Sequence, residues 1–312
     1  MTESTNRNEF IKVAYYYYKN EMTQDQIAKK MSMSRQRVNR ILKKCLETGI
    51  VKITIEEYEN QNVELETQLE NILGLNEVII TDAQDNEIFN LLGIAASSYL
   101  KRVIKDNDIV GFSRGRALSC LVNNLVSVDK KNLTVTQLVG GLNAQESHTN
   151  SDDIVRHSAE ILNAKPYFMY APIIVENKQL RDSMLNESFF SQVYNIMKKC
   201  TVAVAGIGDM SESSFVQRNF MSTEEYSVLR TRNAVGEVCT HYFDINGNII
   251  ESGMNDRVFA IDFNSYKKIP LRIGIAGGSE KISAITGAVR GSLINVLITD
   301  HKTAKTLLSM NT

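Results

Sequence analysis

Residues 22–53 read MTQDQIAKKMSMSRQRVNRILKKCLETGIVKI, and two helix starts are written into them. Thr23 followed three residues later by Gln26 is a capping box: the Thr23 hydroxyl accepts a free N–H while Gln26 reaches back. That helix should run to about Lys30, with Ile27, Ala28 and Met31 turned inward. Ser32-Met33 is a short break, and Ser34 caps a third helix from Arg35 to Thr48, which Gly49 ends. Upstream, Phe10, Ile11, Val13, Ala14, Tyr17 and Tyr18 recur at helical spacing and predict a first helix over residues 8–20. Two short capped helices joined by a tight turn, the second richly basic, form a helix-turn-helix.

The third helix divides into two faces. Val38, Ile41, Leu42 and Cys45 share an apolar stripe that should pack on the first two helices. Arg35, Gln36, Asn39, Arg40 and Lys43 lie opposite. In the major groove Arg reads guanine and Gln or Asn reads adenine through paired hydrogen bonds. Arg35, Gln36 and Arg40 are the expected base readers, with Asn39 beside them. Arg37, Lys43, Lys44 and the hydroxyls of Thr23 and Ser34 are expected on phosphates, which position without specifying. After Gly49, residues 50–55 (IVKITI) alternate as a strand, the place of a wing.

Charge is divided along the chain in the same sense. The 312 residues carry 35 Lys+Arg against 36 Asp+Glu, a net charge of −1. Residues 1–52 hold eleven basic and five acidic residues, so a +6 head sits on a −7 body. No Lys or Arg occurs between Ile53 and Leu100. An anionic partner is therefore expected for the head alone. With 43% hydrophobic residues and three Pro, the chain is neither disordered nor collagenous. Cys45, Cys120, Cys200 and Cys239 stand far apart without a C-x-x-C, as reduced thiols rather than bridges or a zinc site. No apolar run is long enough to span a membrane, and the first twenty residues are not a signal peptide, so a cytoplasmic protein without metal or cofactor is expected.

Glu56 to Leu73 is acidic and helix-prone, with Val63, Leu65, Leu69, Ile72 and Leu73 as an apolar stripe. It suits a connector that also contributes to a dimer interface. The domain boundary falls near residue 57, giving residues 1–56 and 57–312. Beyond it, short apolar runs alternate with helical stretches. Strands are expected at 77–81, 108–110, 134–138, 167–169, 202–206, 258–261, 272–276 and 296–299. Helices are expected at 89–104, 117–125, 154–162, 188–198, 281–291 and 303–309. This alternation is that of an α/β fold with a parallel sheet covered on both faces, in which ligands bind beyond the carboxyl ends of the strands.

Glycine motifs follow several of those strands: Gly111-Phe-Ser-Arg-Gly115, Gly140-Gly141, Gly206-Ile-Gly208 and Gly277-Gly278-Ser279. The first matches G-x-S-x-G, the elbow that presents a nucleophilic serine. It equally suits a helix N-terminus that holds a phosphate with Ser113, Arg114 and Arg116, or a purely structural turn. An elbow needs a histidine, and none of His148, His157, His241 and His301 sits in a recognisable motif. Lys281, in the first turn of a helix after Gly278-Ser279, opposes the helix dipole unless an anion is present; it is a second phosphate anchor or simply solvated. The polar string 143–153 (NAQESHTNSDD) is long enough to cover a pocket, and Glu237 is placed to accept sugar hydroxyls or to be solvated.

In their order these motifs resemble the SorC-type (SorC/DeoR) sugar-binding transcriptional regulators, over nearly the whole chain. The resemblance rests on 22–53, 111–118 (GFSRGRAL), 137–142 (QLVGGL), 171–185 (APIIVENKQLRDSML), 205–208 (AGIG), 234–243 (AVGEVCTHYF), 244–247 (DING) and 274–281 (GIAGGSEK). It implies a winged helix-turn-helix domain joined to a Rossmann-like doubly wound effector domain resembling sugar-phosphate isomerases and deaminases. It further implies a phosphorylated sugar or polyol effector, operator DNA, a dimer or tetramer, and no catalysis. Carried over, Gly111, Ser113, Gly115, Gly140, Gly141, Glu237 and Lys281 surround the ligand, with Arg114, Arg116, Gly278 and Ser279 beside them. Arg114 stands where the family often has tryptophan. Val139 stands where some sugar-bisphosphate sensors have arginine, which favours a monophosphate. The competing readings are a sugar-phosphate isomerase or deaminase, and a serine hydrolase using Ser113.

Overall fold

A computed structural model describes residues 3–53, 62–82, 87–141, 150–211 and 221–311, with side chains from residue 7 onward. The chain divides into two compact units, residues 1–61 and 62–312. The expected boundary at 56/57 lies outside the described residues.

The first unit is built of α1 (Glu3–Tyr18), α2 (Gln24–Lys30) and α3 (Arg35–Glu47). Both caps form as the sequence spells them. Gln26 N–H donates to Thr23 Oγ1 at 3.3 Å and Thr23 N–H to Gln26 Oε1 at 2.8 Å. Arg37 N–H donates to Ser34 Oγ at 3.2 Å. Val13, Ala14, Ile27, Ala28, Val38, Ile41, Leu42 and Cys45 close one core, with Met31 half-buried at its margin. One expectation fails here. Residues 50–53 form no strand. The consecutive Ile50 and Val51 both pack on the three-helix core, and Val51 N–H donates to the Cys45 carbonyl, a chain reversal off the end of α3 rather than extended alternation. Residues 54 and 55 lie outside the described residues.

The second unit opens with α4 (Val63–Leu73), whose Leu65, Leu69 and Leu73 face the core at four-residue spacing. Val63 and Ile72 are exposed, contrary to the expected stripe, because they lie off that line of fours. Next come β1 (Glu77–Thr81), α5 (Ile88–Val103), β2 (Ile109–Phe112), α6 (Arg116–Asn123), β3 (Thr134–Gln137), α7 (Ser151–Leu162) and β4 (Lys165–Tyr167). α8 (Lys178–Asn186), α9 (Ser188–Met197) and β5 (Val202–Gly206) lead to β6 (Gly208–Asp209), α10 (Thr223–Thr231), β7 (Gly236–Val238) and β8 (His241–Phe243). α11 (Phe263–Lys268), β9 (Leu271–Ile275), α12 (Ile282–Arg290), β10 (Val296–Asp300) and α13 (His301–Asn311) complete it.

Seven strands form one sheet in the order β1-β10-β9-β5-β2-β3-β4, every pair parallel. Alternate residues on each strand serve opposite faces, as the pleat requires. Val202 and Val204 pack with α5, α6 and α7, while Ala203 and Ala205 pack with α9, α12 and α13. The order reverses between β2 and β5: the chain runs outward through β3 and β4, returns to β5, and runs outward the other way. β6, β7 and β8 form a separate antiparallel sheet.

Residues 258–261 are not a sheet strand. Val258 and Ala260 form isolated antiparallel bridges to Ile174 and Val139. All four residues are buried, so their apolar run records burial rather than sheet membership. The strand expected at 167–169 forms at Lys165–Tyr167. The acidity of α4 has a local use: Ile80 N–H donates to Glu66 at 2.8 Å and Val78 N–H to Glu70 at 3.0 Å. β1 is an edge strand, and these carboxylates satisfy N–H groups that no neighbouring strand can reach. Leu69 is fully buried between α4 and the sheet. Leu69→Ala should lower unfolding stability by about 2–5 kcal/mol, read from the urea midpoint at constant slope.

Candidate functional site

On the first unit, Arg35, Gln36, Asn39, Arg40 and Lys43 are all exposed on α3, opposite the buried stripe. Arg35 lies 3.8 Å from Asp25 with both side chains mostly exposed, a pair that leaves the guanidinium available. Arg37 is differently placed: its guanidinium donates to both oxygens of Glu9, at 2.9 and 3.1 Å, and ties α3 to α1. The Thr23 and Ser34 oxygens accept their cap bonds, and both residues are exposed.

On the second unit, the reversal between β2 and β5 opens a crevice at their carboxyl ends. Gly206 N–H donates to Ser113 Oγ at 3.2 Å, and Ser113 N–H to the Val204 carbonyl at 2.9 Å. Ser113 is buried and its oxygen is already an acceptor. Gly115 adopts φ +121° as the residue before α6, a backbone shape closed to side chains. The first turn of α6 presents N–H groups that have no acceptor within the helix. Arg114 is half-buried beside it, and the exposed Arg116 lies 4.4 Å over the Phe89 ring.

Some of the glycines do other work. Gly111 lies inside β2, and Gly140 and Gly141 donate their N–H groups to the Phe259 and Ala171 carbonyls. Gly278, at φ +103°, donates to both Asp300 Oδ2 and Thr303 Oγ1 at 2.9 Å. Ser279 begins the short 3-10 turn 279–281 that carries Lys281. Of the string 143–153, residues 143–149 lie outside the described residues and residues 151–153 open α7.

Glu237 sits within β7, opposite Gly208 of β6, half-buried, and accepts from Thr240 N–H at 3.0 Å. That hydrogen bond spans a hairpin in which Cys239 and Thr240 both take positive φ, +51° and +65°. A β-branched residue in that region is a strained one, and strain of this kind gathers at binding sites. His241, after the turn, donates Nε2–H to the Ile261 carbonyl at 2.8 Å, and burial holds the pKa of its imidazole below the ordinary value. His301 pairs with Asn62 instead. Ser113 thus has a structural hydrogen bond, and these two rings serve other elements.

Lys281 Nζ pairs with Asp209 Oδ2, at the end of β6. Burial pushes the Asp209 carboxyl up, but the Lys281 ammonium and the Ser211 N–H outweigh it and hold the group well below the usual carboxylate range. Asp209 and the strained Cys239-Thr240 turn were not among the residues singled out from the sequence. The available signal for Asp209 was its place directly after Gly206-Ile-Gly208. The structure thus gathers Ser113, Gly206, Glu237 and the Asp209–Lys281 pair around the carboxyl ends of β2, β5 and β9. Among the described residues no group of His, Cys, Asp and Glu is arranged to hold a metal. No described helix is long and apolar enough to cross a membrane.

Helix-turn-helix and doubly wound unit together define a sensor class, and comparison with known proteins identifies which one. Residues 58–309 match the family described as "Putative sugar-binding domain", and residues 12–48 match "Sigma-70, region 4". The sorbitol operon regulator of Klebsiella pneumoniae is 31% identical over 304 residues, 96% of each chain. The deoxyribonucleoside regulator of Bacillus subtilis is 30% identical over 302 residues, again 96% of each. The crystal structure of full-length SorC from K. pneumoniae superposes with a TM-score of 0.77 at 30% identity, covering 98% of this chain and 100% of that one. The chain belongs to the SorC/DeoR family of sugar-binding transcriptional regulators.

The Asp209 carboxyl makes one property of this site measurable without a ligand. A carboxyl held low in the folded chain adds stability above its unfolded value of about 4, and that stability is lost as pH falls below it. Unfolding stability should therefore fall less steeply below about pH 4 in Asp209→Asn than in the parent chain, as read by urea titrations at successive pH values.

Proposed function

We propose that this regulator binds operator DNA through α3 and is controlled by a phosphorylated sugar or polyol seated at the carboxyl ends of β2, β5 and β9. The observation that carries the reading is the gathering of Ser113, the α6 N-terminus, Glu237 and Lys281 at one end of the sheet, where the strand order reverses. Helix N-termini favour anions, and Arg114 and Arg116 add positive charge at the same end of α6. Carboxylates such as Glu237 suit sugar hydroxyls. The names of relatives point the same way, toward sorbitol, deoxyribonucleosides and, for a 25% identical regulator of Brucella abortus, erythritol catabolism. Val139, next to the Gly140-Gly141 turn, is buried and apolar, which favours a single phosphate.

On the DNA, Arg35, Gln36 and Arg40 read bases, with Asn39 beside them. Lys43, Thr23 and Ser34 hold phosphates, and Arg37 acts mainly by fixing α3 on α1. The site runs over residues 1–56, and the effector and oligomerisation part over 57–312. Two or four copies act together, since paired half-sites call for paired heads. The effector changes operator affinity to the extent that it prefers one arrangement of the copies.

Combined Arg35→Ala, Gln36→Ala and Arg40→Ala should abolish selection of a specific fragment from genomic DNA while retaining salt-sensitive nonspecific binding. Retained selectivity would remove α3 as the reader. In a thermal-shift screen of phosphorylated sugars and polyols, at least one compound should raise the melting temperature of the full chain. Lys281→Ala should erase that rise, and an unchanged rise would count against the pocket. Light scattering of the full chain should return a mass of two or four copies.

A further inference from the structure

Lys281, the cation expected to meet the effector's phosphate, is not waiting for one: its ammonium is already paired inside the chain. Asp209 and Lys281 come from the carboxyl ends of neighbouring structures, Asp209 from β6 just after β5 and Lys281 from the turn just after β9. The pair is sheltered, with side-chain exposures of 5% for Asp209 and 17% for Lys281. Asp209 is itself fixed, since its Oδ1 accepts from Ser211 N–H at 2.7 Å. The residue paired with Asp209 across the small sheet is Gly236, so Glu237 is the next step along β7. Successive residues of a strand point to opposite faces, so the Glu237 side chain leaves β7 on the other face, and the corner itself holds one carboxylate and one ammonium, those of Asp209 and Lys281.

This arrangement sets terms for any anion that approaches Lys281. A bare anion must draw the ammonium away from Asp209 and deprive a sheltered carboxylate of its counter-ion, which is unfavourable. Its own charge is also repelled by the Asp209 carboxylate. A phosphate ester with a hydroxyl group nearby meets the same repulsion but offsets the first of these costs. Its phosphate takes over Lys281 while a hydroxyl donates to Asp209, so both members of the pair keep a partner.

We infer that Asp209 is a specificity-determining residue that discriminates against simple anions, admitting at Lys281 only a phosphate ester that also brings a hydroxyl donor. The inference rests on the reading of Lys281 as an effector contact and adds the criterion by which that contact selects. Cells hold inorganic phosphate in abundance, and a sugar-phosphate sensor without such a criterion is answered by phosphate itself. In this chain the criterion is an internal counter-ion: Asp209 competes with the ligand's anion and rewards its hydroxyl.

The test is titration calorimetry of the full-length chain with two probes, orthophosphate and glycerol 3-phosphate. Asp209→Asn keeps an oxygen for the Ser211 N–H, removes the competing charge, and should bind orthophosphate at least about five-fold tighter than the parent. The preference of glycerol 3-phosphate over orthophosphate should shrink by a similar factor. Asp209→Ser serves as the second variant should Asn disturb the turn, and circular dichroism checks that both fold. Adding Lys281→Gln to either variant should remove the gain. If the parent and both variants bind orthophosphate equally, and Lys281→Gln weakens all three, the inference fails while Lys281 stands as an anion contact. If no chain binds either probe, and the sugar-phosphate screen also returns nothing, the inference and the effector reading fall together.

Discussion

Val110, Gly111 and Phe112 of β2 pair in parallel with Val202, Ala203 and Val204 of β5, and the loops that leave these two strands take their places from that pairing. Strands on one side of it lead through β3 and β4 to one edge; strands on the other lead through β9 and β10 to the edge closed by β1. The loops leaving β2 and β5 therefore diverge in opposite directions and open a crevice between them. Ser113 holds that crevice at its floor through Gly206 N–H. With the floor fixed, the α6 N-terminus stands on one side and the Asp209–Lys281 corner on the other.

Electrostatically the two halves of the chain obey different rules. The basic residues of α3 are exposed, so their pull on any anionic partner is screened by salt. In the second unit the Asp209–Lys281 pair is sheltered, and it is sensitive to any change of partner. A whole-chain charge of −1 conceals both conditions.

The helix-turn-helix was legible in the sequence because its signals are local. Thr23, Gln26 and Ser34 cap helices within three residues of themselves, and the apolar stripe of α3 repeats within a turn. Most strands of the sheet were legible too, because a parallel strand buried on both faces needs a continuous apolar run. Val258–Ile261 shows the limit of that reasoning. The same apolar run arises wherever backbone is buried, and only its neighbours Ile174 and Val139 show that no sheet ladder passes there. The short helices α8, α10 and α11 escaped notice for the opposite reason, since none contributes more than one fully buried residue.

By itself the sequence determined the helix caps, the basic face of α3, the glycine turns after the strands and the division of charge. Each of these depends on residues a few positions apart, whose geometry the backbone dictates. Only tertiary structure decided what the candidate site residues do once assembled. Arg37 meets Glu9 across 28 positions, Ser113 meets Gly206 across 93, and Lys281 meets Asp209 across 72. Partnership at such separations is set by strand order and not by spacing. A lysine that reads in the sequence as a phosphate anchor or a solvated cation is, in the folded chain, one half of a sheltered ion pair.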